Sequence, residues 1–235
     1  MPNSYFAFKQ FTIHHDRCAM KVGTDGVLLG AWADVSSSQN VLDIGTGTGL
    51  IALMIAQRCD ASHITAIDID AEAVGQAAEN VSLSPWKERV EVLLQDLRTY
   101  RPSRLFDTIV SNPPYFIDSL KCSDGQRNTA RHTDTLPASS LISKAAELLT
   151  PEGRLSLILP FEQTPDIVRI AEGEGLHLSR HTAVVTRPGL PPKRSLLEFG
   201  KADRGCLESE LTIELERHVY TDDYIALTGD FYLKM

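Results

Sequence analysis

The sequence lacks the features that would assign the chain to a membrane, secreted or metal-binding class. No stretch approaches the roughly 20 consecutive apolar residues that a membrane span requires. Its first six residues lack the basic segment and following apolar segment of a secretory signal. The four cysteines, Cys18, Cys59, Cys122 and Cys206, are far apart and form no CxxC pair, so neither a zinc site nor a disulfide framework is indicated. We therefore expect a cytoplasmic protein with no membrane partner and no metal.

An excess of positive charge is also lacking. The net charge of -8 argues against a protein that coats nucleic acid indiscriminately, because Lys and Arg supply most of the non-specific affinity for phosphates. The acidic excess is partly concentrated late in the chain, at Glu208, Glu210, Glu214, Glu216, Asp222 and Asp223. Basic surfaces can therefore lie elsewhere, and a nucleic-acid substrate would have to bind to a local basic patch.

The length and the apolar pattern predict one α/β domain. At 235 residues, 43% of them hydrophobic, the chain can build one large core and is short for two. An apolar helix is predicted at 26–33, after Thr24 and Asp25. Strand and helix patterns then alternate, with strands predicted at 41–44, 64–69, 90–94, 106–111 and 154–159, and helices at 50–59, 71–83 and 139–149. This order predicts a Rossmann-like, doubly wound, mostly parallel sheet with helices on both faces.

Two further β-like runs extend the predicted sheet. They lie at 181–186 and 195–199, after a helix predicted at 164–174, and a proline-rich connector at 187–194 separates them. The connector is too long for a tight hairpin, yet the two runs can pair antiparallel at the edge of the sheet. The expected fold is thus seven-stranded with an antiparallel edge strand. Its single domain, 1–235, divides into a leader at 1–34, a Rossmann-like core at 41–200 and a C-terminal extension at 201–235.

A GxGxG turn at 45–49 joins the first core strand to its helix. Glycine lets the backbone turn sharply there and approach a ligand closely. The third glycine of the dinucleotide fingerprint GxGxxG is replaced by Leu50, which disfavours a nicotinamide oxidoreductase. Asp43 precedes the turn, and Asp68 ends the next strand, where an acid can accept hydrogen bonds from ribose hydroxyls.

A third acid, Asp96, follows the third strand and can accept a hydrogen bond from an adenine amino group. Each acid also has an ordinary structural interpretation, as Asp70 does as a helix N-cap before Ala71. Three acids at the carboxyl ends of three successive strands, beside a GxGxG turn, nevertheless indicate an adenosine-bearing cofactor.

The motif Asn112-Pro113-Pro114-Tyr115 follows a buried strand and suits recognition of a flat amino group. With it, nearly the whole chain resembles the class I S-adenosylmethionine-dependent methyltransferases that act on nitrogen. The resemblance implies that the Asn112 side-chain oxygen and the Pro113 carbonyl accept the two amino hydrogens, while Tyr115 stacks on the substrate. Holding both N–H groups would aim the nitrogen lone pair at the sulfonium methyl, so that catalysis is largely positioning.

The site residues expected from the motifs and the resemblance fall into two sets. The expected catalytic residues are Asn112, Pro113, Pro114 and Tyr115. The residues expected to contact S-adenosyl-L-methionine are Thr24, Asp25, Asp43, Gly45, Thr46, Gly47, Gly49, Asp68, Ile69, Asp96, Leu97 and Asn112.

Segments near both ends of the chain narrow the range of possible substrates. Residues 6–11, 21–32 and 224–233 resemble the bacterial tRNA1(Val) (adenine-37-N6)-methyltransferases, which implies a tRNA substrate, a leader that encloses the cofactor, and Thr24 and Asp25 at its methionine end. Methylation of a ribosomal RNA guanine or of a release-factor glutamine remains open, as does a non-catalytic RNA-binding module. The sequence gives no oligomeric state.

Two basic clusters are candidates for RNA contact, because phosphate contacts would position a tRNA while its target adenine is splayed out. The first follows the Asn-Pro-Pro-Tyr motif, where Asp118 and Asp124 lower its net positive charge. The second lies in the connector at 187–194. The clusters comprise Lys121, Arg127, Arg131 and His132, and Arg187, Lys193 and Arg194.

Overall fold

The structure is a computed structural model that describes residues 4–18, 21–60, 63–113 and 136–234. The strands are β1 Tyr5–Ala7, β2 Thr12–His14, β3 Asn40–Ile44, β4 His63–Asp68, β5 Val90–Leu94, β6 Phe106–Ser111, β7 Leu149–Pro160, β8 His177–Val185, β9 Arg194–Gly200, β10 Leu207–Thr212, β11 Glu214–Glu216 and β12 Val219–Tyr220. The helices are α1 Thr24–Trp32, α2 Leu50–Arg58, α3 Ala71–Ser82, α4 Ala138–Leu148, α5 Thr164–Gly173 and α6 Asp222–Thr228. Within these ranges, none of the helices is long and apolar enough to cross a membrane.

The central sheet has eight strands in the order β10-β8-β9-β7-β6-β3-β4-β5. Strand β9 is antiparallel to both of its neighbours, and the other adjacent pairs are parallel. The predicted α/β class, the mostly parallel sheet and the antiparallel pairing of the last two predicted strands are confirmed.

One strand of the sheet was not expected from the sequence. Strand β10 lies in the segment predicted as a C-terminal extension and pairs with β8, so the sheet has eight strands rather than seven, and the antiparallel strand lies inside it rather than at its edge. The reason is compositional: Leu211 is buried, whereas Leu207, Glu208 and Glu210 are exposed. Charged side chains protect an edge strand from pairing with other chains, and they also remove the apolar pattern by which a strand is recognised.

Helices cover both faces of the sheet and enclose two apolar cores. The core on the α1 and α2 face contains Val41 of β3 and Val110 of β6, and the core on the α4 and α5 face contains Leu42 and Ile109 from the same strands. Strands buried on both faces are apolar at nearly every position, which is why the sequence predicts them clearly.

Helix α1 packs very closely on α2 because its contact face carries glycine. A Cβ at Gly26 would lie 3.0 Å from Leu50 Cδ2, and a Cβ at Gly30 would lie 2.8 Å from Met54 Sδ and 3.0 Å from Met54 Cβ. Leu50 is the first residue of α2, directly after the glycine turn. The close approach therefore places the amino end of α1 beside that turn.

The two ends of the described chain meet on the same side of the molecule. Phe8 and Tyr232 form an isolated antiparallel bridge, and the Lys9 N–H donates to the Phe231 carbonyl at 2.8 Å. Phe8 and Phe11 are buried and stacked, with ring centroids 4.7 Å apart. The aromatic leader thus forms part of the core rather than a separate arm.

The helix contact generates a stability prediction. Gly30→Ala should lower the free energy of unfolding by about 1–3 kcal/mol, because overpacking outweighs the gain in helix propensity. Gly75→Ala is the matched control: Gly75 is exposed within α3 and a Cβ there meets nothing within 4 Å. It should raise the unfolding free energy by about 0.5–1 kcal/mol. Urea denaturation measures both values, and a stabilised Gly30→Ala variant would contradict the packing described.

Candidate active site

A cavity of about 270 Å³ lies at the carboxyl ends of β3, β4, β5 and β6. In open α/β sheets this edge is where ligands bind. The cavity brings together eight of the residues predicted from the sequence, namely Gly45, Gly47, Asp68, Ile69, Asp96, Leu97, Asn112 and Pro113. A second cavity of about 580 Å³ lies at the amino ends of the same strands, and none of the predicted site residues in the described part of the chain lines it.

The glycine turn forms one wall of the cavity. Gly45 and Gly47 have φ values of 70° and 56°, in the left-handed region that favours glycine. The N–H groups of Gly45 and Thr46 donate to the Ile67 carbonyl at 2.9 and 3.0 Å, which holds the turn against the end of β4. A Cβ at Gly45 or Gly47 would meet no atom of the described residues within 4 Å. The backbone conformation requires these glycines, and the space in front of them is open.

Asp68 joins the turns that follow β3 and β4. Its Oδ2 accepts a hydrogen bond from the Gly47 N–H at 2.9 Å, and its Oδ1 accepts one from the Asp70 N–H at 3.0 Å. Asp70 in turn caps α3 by accepting from the Glu72 N–H, as the sequence predicts. A carboxylate has about four lone-pair sites, so Asp68 keeps the capacity to accept further hydrogen bonds from within the cavity.

Asp96 is held by a cation that also lines the cavity. The Arg98 Nε lies 3.0 Å from Asp96 Oδ1 and the Arg98 Nη2 lies 2.6 Å from Oδ2. These hydrogen bonds hold the pKa of Asp96 below its usual value. Asp96 also caps the short 3₁₀ helix Leu97–Thr99. The carboxylate is therefore fixed and ionised at the cavity wall.

Asn112 and Pro113 leave the end of β6 and line the cavity. Just before them, the buried Ser111 hydroxyl donates to the Ile44 carbonyl at 2.8 Å and ties the ends of β6 and β3 together. Asn112 is half-buried and Pro113 is buried. Pro114 and Tyr115, the other expected catalytic residues, lie outside the described residues.

Asp43 lies beneath the glycine turn and does not line the cavity. It is fully buried, and its Oδ2 accepts a hydrogen bond from the Thr46 hydroxyl at 2.7 Å. Burial raises the pKa of Asp43 to about 7; the charge of Asp68 adds to the rise, and the Thr46 hydroxyl opposes it. Thr46 and Gly49 likewise lie outside the lining. For these three residues the geometry shows support of the turn rather than a surface that faces a ligand.

Asp25, predicted for the cofactor, and Arg194, predicted for RNA, contact each other. The Arg194 Nε lies 2.8 Å from Asp25 Oδ2. Neither Asp25 nor the neighbouring Thr24 lines the cavity. In the connector, Arg187 pairs with Glu214.

The remaining RNA candidates fall in two parts of the chain. Lys193 lies on the connector and is exposed. Lys121, Arg127, Arg131 and His132 lie outside the described residues.

Several cavity residues were not expected from the sequence. They carry no motif of their own and reach the cavity through the fold: Cys18, Ala73, Arg98, Ser111, Leu136 and Leu141. Burial raises the pKa of Cys18 to about 11, and the charges of Asp68 and Asp70 contribute. Its thiol therefore stays protonated at neutral pH and is a wall residue rather than a nucleophile.

The carboxylates of the cavity do not form a metal centre. Across residues 4–18, 21–60, 63–113 and 136–234, no group of three or more His, Cys, Asp or Glu side chains is arranged to hold a metal ion.

Comparison with known proteins defines the class. The family profile of the methyltransferase small domain matches residues 21–166. A predicted O-methyltransferase from Agrobacterium tumefaciens has a similar fold, with a TM-score of 0.68 and 22% identity over 88% of this chain and 96% of that one. A putative RNA methyltransferase from Pyrococcus horikoshii gives 0.54 and 19% over 76% and 81% of the two chains. The Rossmann-like fold and the family profile together define a methyltransferase.

More similar relatives specify the family. A protein from Phocaeicola vulgatus is 60% identical over 235 residues and covers 100% of both chains. One from Aeromonas hydrophila is 47% identical over 99% of both. Each is named a tRNA1(Val) (adenine(37)-N6)-methyltransferase. The chain belongs to the family of these enzymes.

The buried carboxylate of Asp43 generates a pH prediction. Its pKa is higher in the folded chain than the roughly 3.9 of an unfolded Asp, so the folded state binds the proton more tightly. Stability from this group is complete below about pH 4 and is lost as the pH rises to about 7. Relative to Asp43→Asn, the wild type should therefore lose stability from pH 5 to about 7 and change little above pH 8.

Thermal or urea unfolding at each pH measures this difference. Asp60→Asn, at an exposed position, controls for the loss of one negative charge. A wild type and an Asp43→Asn variant that differ by a constant amount across this range would show that Asp43 does not titrate as described.

Proposed function

We propose that the protein transfers a methyl group from S-adenosyl-L-methionine to N6 of adenine 37 in tRNA1(Val). Relatives with this activity in their names match the chain over its full length. One structural feature supports the proposed reaction: Asn112 and Pro113 line the same cavity as Gly45, Gly47, Asp68 and Asp96. A tRNA substrate fits the cytoplasmic location expected from the sequence.

The residues of the cavity fit an adenosine-bearing cofactor. Asp68 has lone pairs left to accept hydrogen bonds from ribose hydroxyls, and the ionised Asp96 can accept one from the adenine amino group. Ile69 is 55% exposed and offers an apolar contact for the purine, and Leu97 lines the same cavity. Gly45 and Gly47 leave open space for the amino-acid end. When bound there, S-adenosyl-L-methionine supplies an electrophilic methyl carbon on a positively charged sulfur.

Asn112 and Pro113 would act on the amino group that is methylated. The Asn112 side-chain oxygen and the Pro113 carbonyl can each accept one N–H hydrogen bond, which turns the nitrogen lone pair away from the purine ring and toward the methyl carbon. The rate gain comes from orientation and from acceptors fixed before the reaction. The Ser111 hydroxyl, bound to the Ile44 carbonyl, holds this segment in place. The excess proton leaves after the nitrogen has become cationic, so no strong base is required.

The tRNA would bind beside the carboxyl ends of the strands, where the cavity lies. Its target adenine must leave the stack of the anticodon loop to reach Asn112. We propose phosphate contacts from the exposed Lys193 of the connector and from the segment that holds Lys121, Arg127 and Arg131. Arg194 would contribute only if it left its ion pair with Asp25.

A substitution at Asn112 tests the proposed reaction. Asn112→Ala should bind S-adenosylhomocysteine within a few-fold of the wild type, because the glycine turn, Asp68 and Asp96 remain. It should lose roughly 10²-fold or more in methyl transfer, because an acceptor for the reacting amino group is removed. Calorimetry measures binding, and transfer of labelled methyl to unmodified tRNA1(Val), followed by nucleoside analysis, measures turnover. Asn40→Ala, an amide at the opposite edge of the sheet, is the matched control and should retain activity.

The same assay decides among the alternatives. N6-methyladenosine at position 37 is the expected product. Label in a ribosomal RNA guanine or in a protein glutamine would move the substrate and keep the reaction class. Binding of NAD without S-adenosylhomocysteine would overturn the methyltransferase assignment, and undiminished transfer by Asn112→Ala would overturn the role of Asn112.

A further inference from the structure

The leader reaches the cavity along one face of helix α3. After β2, residues 15–18 run beside this helix, and Cys18 forms part of the cavity lining. Ala73 of the same helix also lines the cavity. The position of the leader at the cavity therefore depends on what attaches it to α3.

Asn80 is the principal attachment. Its side chain is buried, its Oδ1 accepts from the His14 N–H at 2.9 Å, and its Nδ2 donates to the His14 carbonyl at 2.9 Å. The side-chain amide thus pairs with the backbone of β2 as a neighbouring strand would. The same Nδ2 also donates to the Thr48 carbonyl at 2.9 Å. One amide therefore binds both the leader and the glycine turn.

A second attachment lies one helical turn earlier. The Gln76 Oε1 accepts from the Arg17 N–H at 3.2 Å, and Gln76 is fully buried. The Arg17 guanidinium also pairs with Glu79 at 2.9 Å. Residues three and four apart share one face of a helix, so Gln76, Glu79 and Asn80 form a row along which the leader lies.

We propose that Asn80 and Gln76 are positioning residues for the cofactor. By fixing the backbone at His14 and Arg17 they hold Cys18 as a wall of the cavity. Asn80 also binds Thr48 and so holds that wall and the glycine turn at a set spacing. This proposal rests on the proposed function, since the ligand of the cavity is taken to be S-adenosyl-L-methionine. It concerns residues that do not themselves line the cavity. Loss of the attachment should weaken cofactor binding without changing the groups that act on adenine.

Two variants with matched controls test the proposal. Asn80→Ala removes all three hydrogen bonds, and Gln76→Ala removes the single bond to Arg17. Val81→Ala is the control for general destabilisation, because Val81 is a buried apolar residue of α3 and its truncation leaves both attachments intact. Ser82→Ala, on the surface of the same helix, controls for alanine substitution alone. Circular dichroism and melting temperature establish that each variant is folded.

Calorimetry with S-adenosylhomocysteine gives the first measurement. The Kd should rise about tenfold in Asn80→Ala and less in Gln76→Ala, the range typical of residues that act through others. It should stay within about twofold in Val81→Ala and Ser82→Ala. At saturating cofactor, kcat and the KM for tRNA should change little in any variant.

Alkylation of Cys18 by iodoacetamide, followed peptide by peptide, gives a measurement independent of activity. The exposed Cys206 is the internal reference. Cys18 should react about tenfold faster in Asn80→Ala, and S-adenosylhomocysteine should protect it in the wild type more than in the variant, because ligand and leader stabilise each other through linkage.

The two proposals fail in different ways. A wild type that does not bind S-adenosylhomocysteine would contradict the proposed function. A wild type that binds, together with Asn80→Ala and Gln76→Ala variants that are folded, bind equally well and show unchanged Cys18 reactivity, would overturn the positioning role alone. An equal loss of binding in Val81→Ala would also overturn it, by showing that general destabilisation is sufficient.

Discussion

The hydrogen bond from the Gly47 N–H to the Asp68 carboxylate is the constraint on which the site depends. It joins the turns after β3 and β4, two neighbouring parallel strands whose register sets Ile44 opposite Ile67. Because Ile67 also accepts the Gly45 and Thr46 N–H groups, the glycine turn has one position relative to β4. The N–H group of Gly47, a glycine with positive φ, thereby has an acceptor. The accepting carboxylate of Asp68 lines the cavity and keeps lone pairs for further hydrogen bonds. Under the proposed function, structural support and ligand binding would thus use the same side chain.

The second constraint is electrostatic. Asp43 is buried under the turn that Asp68 holds, and the proximity of the two acids contributes to the raised pKa of Asp43. Burial raises the pKa of Cys18 first, and the charges of Asp68 and Asp70 add to the rise. Under the proposed function, the sulfonium and ammonium groups of the cofactor would be attracted by the carboxylates at this edge of the sheet. Asp96 differs because Arg98 neutralises it, which suits a position that accepts a hydrogen bond from a neutral purine.

The sequence predicts the parallel core because strands buried on both faces are apolar throughout, and it misses β10 because an exposed acidic edge strand has no such pattern. The motif residues Gly47, Asp68, Asp96 and Asn112 do meet, since the carboxyl ends of parallel strands share one edge. Cys18 was not predictable, because its place depends on Asn80 contacting His14, 66 residues away in the chain. Local sequence patterns likewise cannot predict the pairing of Asp25 with Arg194, which lie 169 residues apart.

That pairing limits how this edge of the molecule can bind RNA. Arg194 and Arg187, two cations of the connector, are held by Asp25 and Glu214, so a phosphate would have to replace a carboxylate at either position. Such an exchange contributes less binding free energy than a phosphate contact with an unpaired cation, because the carboxylate that is displaced loses its partner. In a chain of net charge -8, the described part of the connector would therefore add few phosphate contacts to the affinity for RNA. Under the proposed function, recognition would then rely more on the shape of the anticodon arm and on capture of one splayed base.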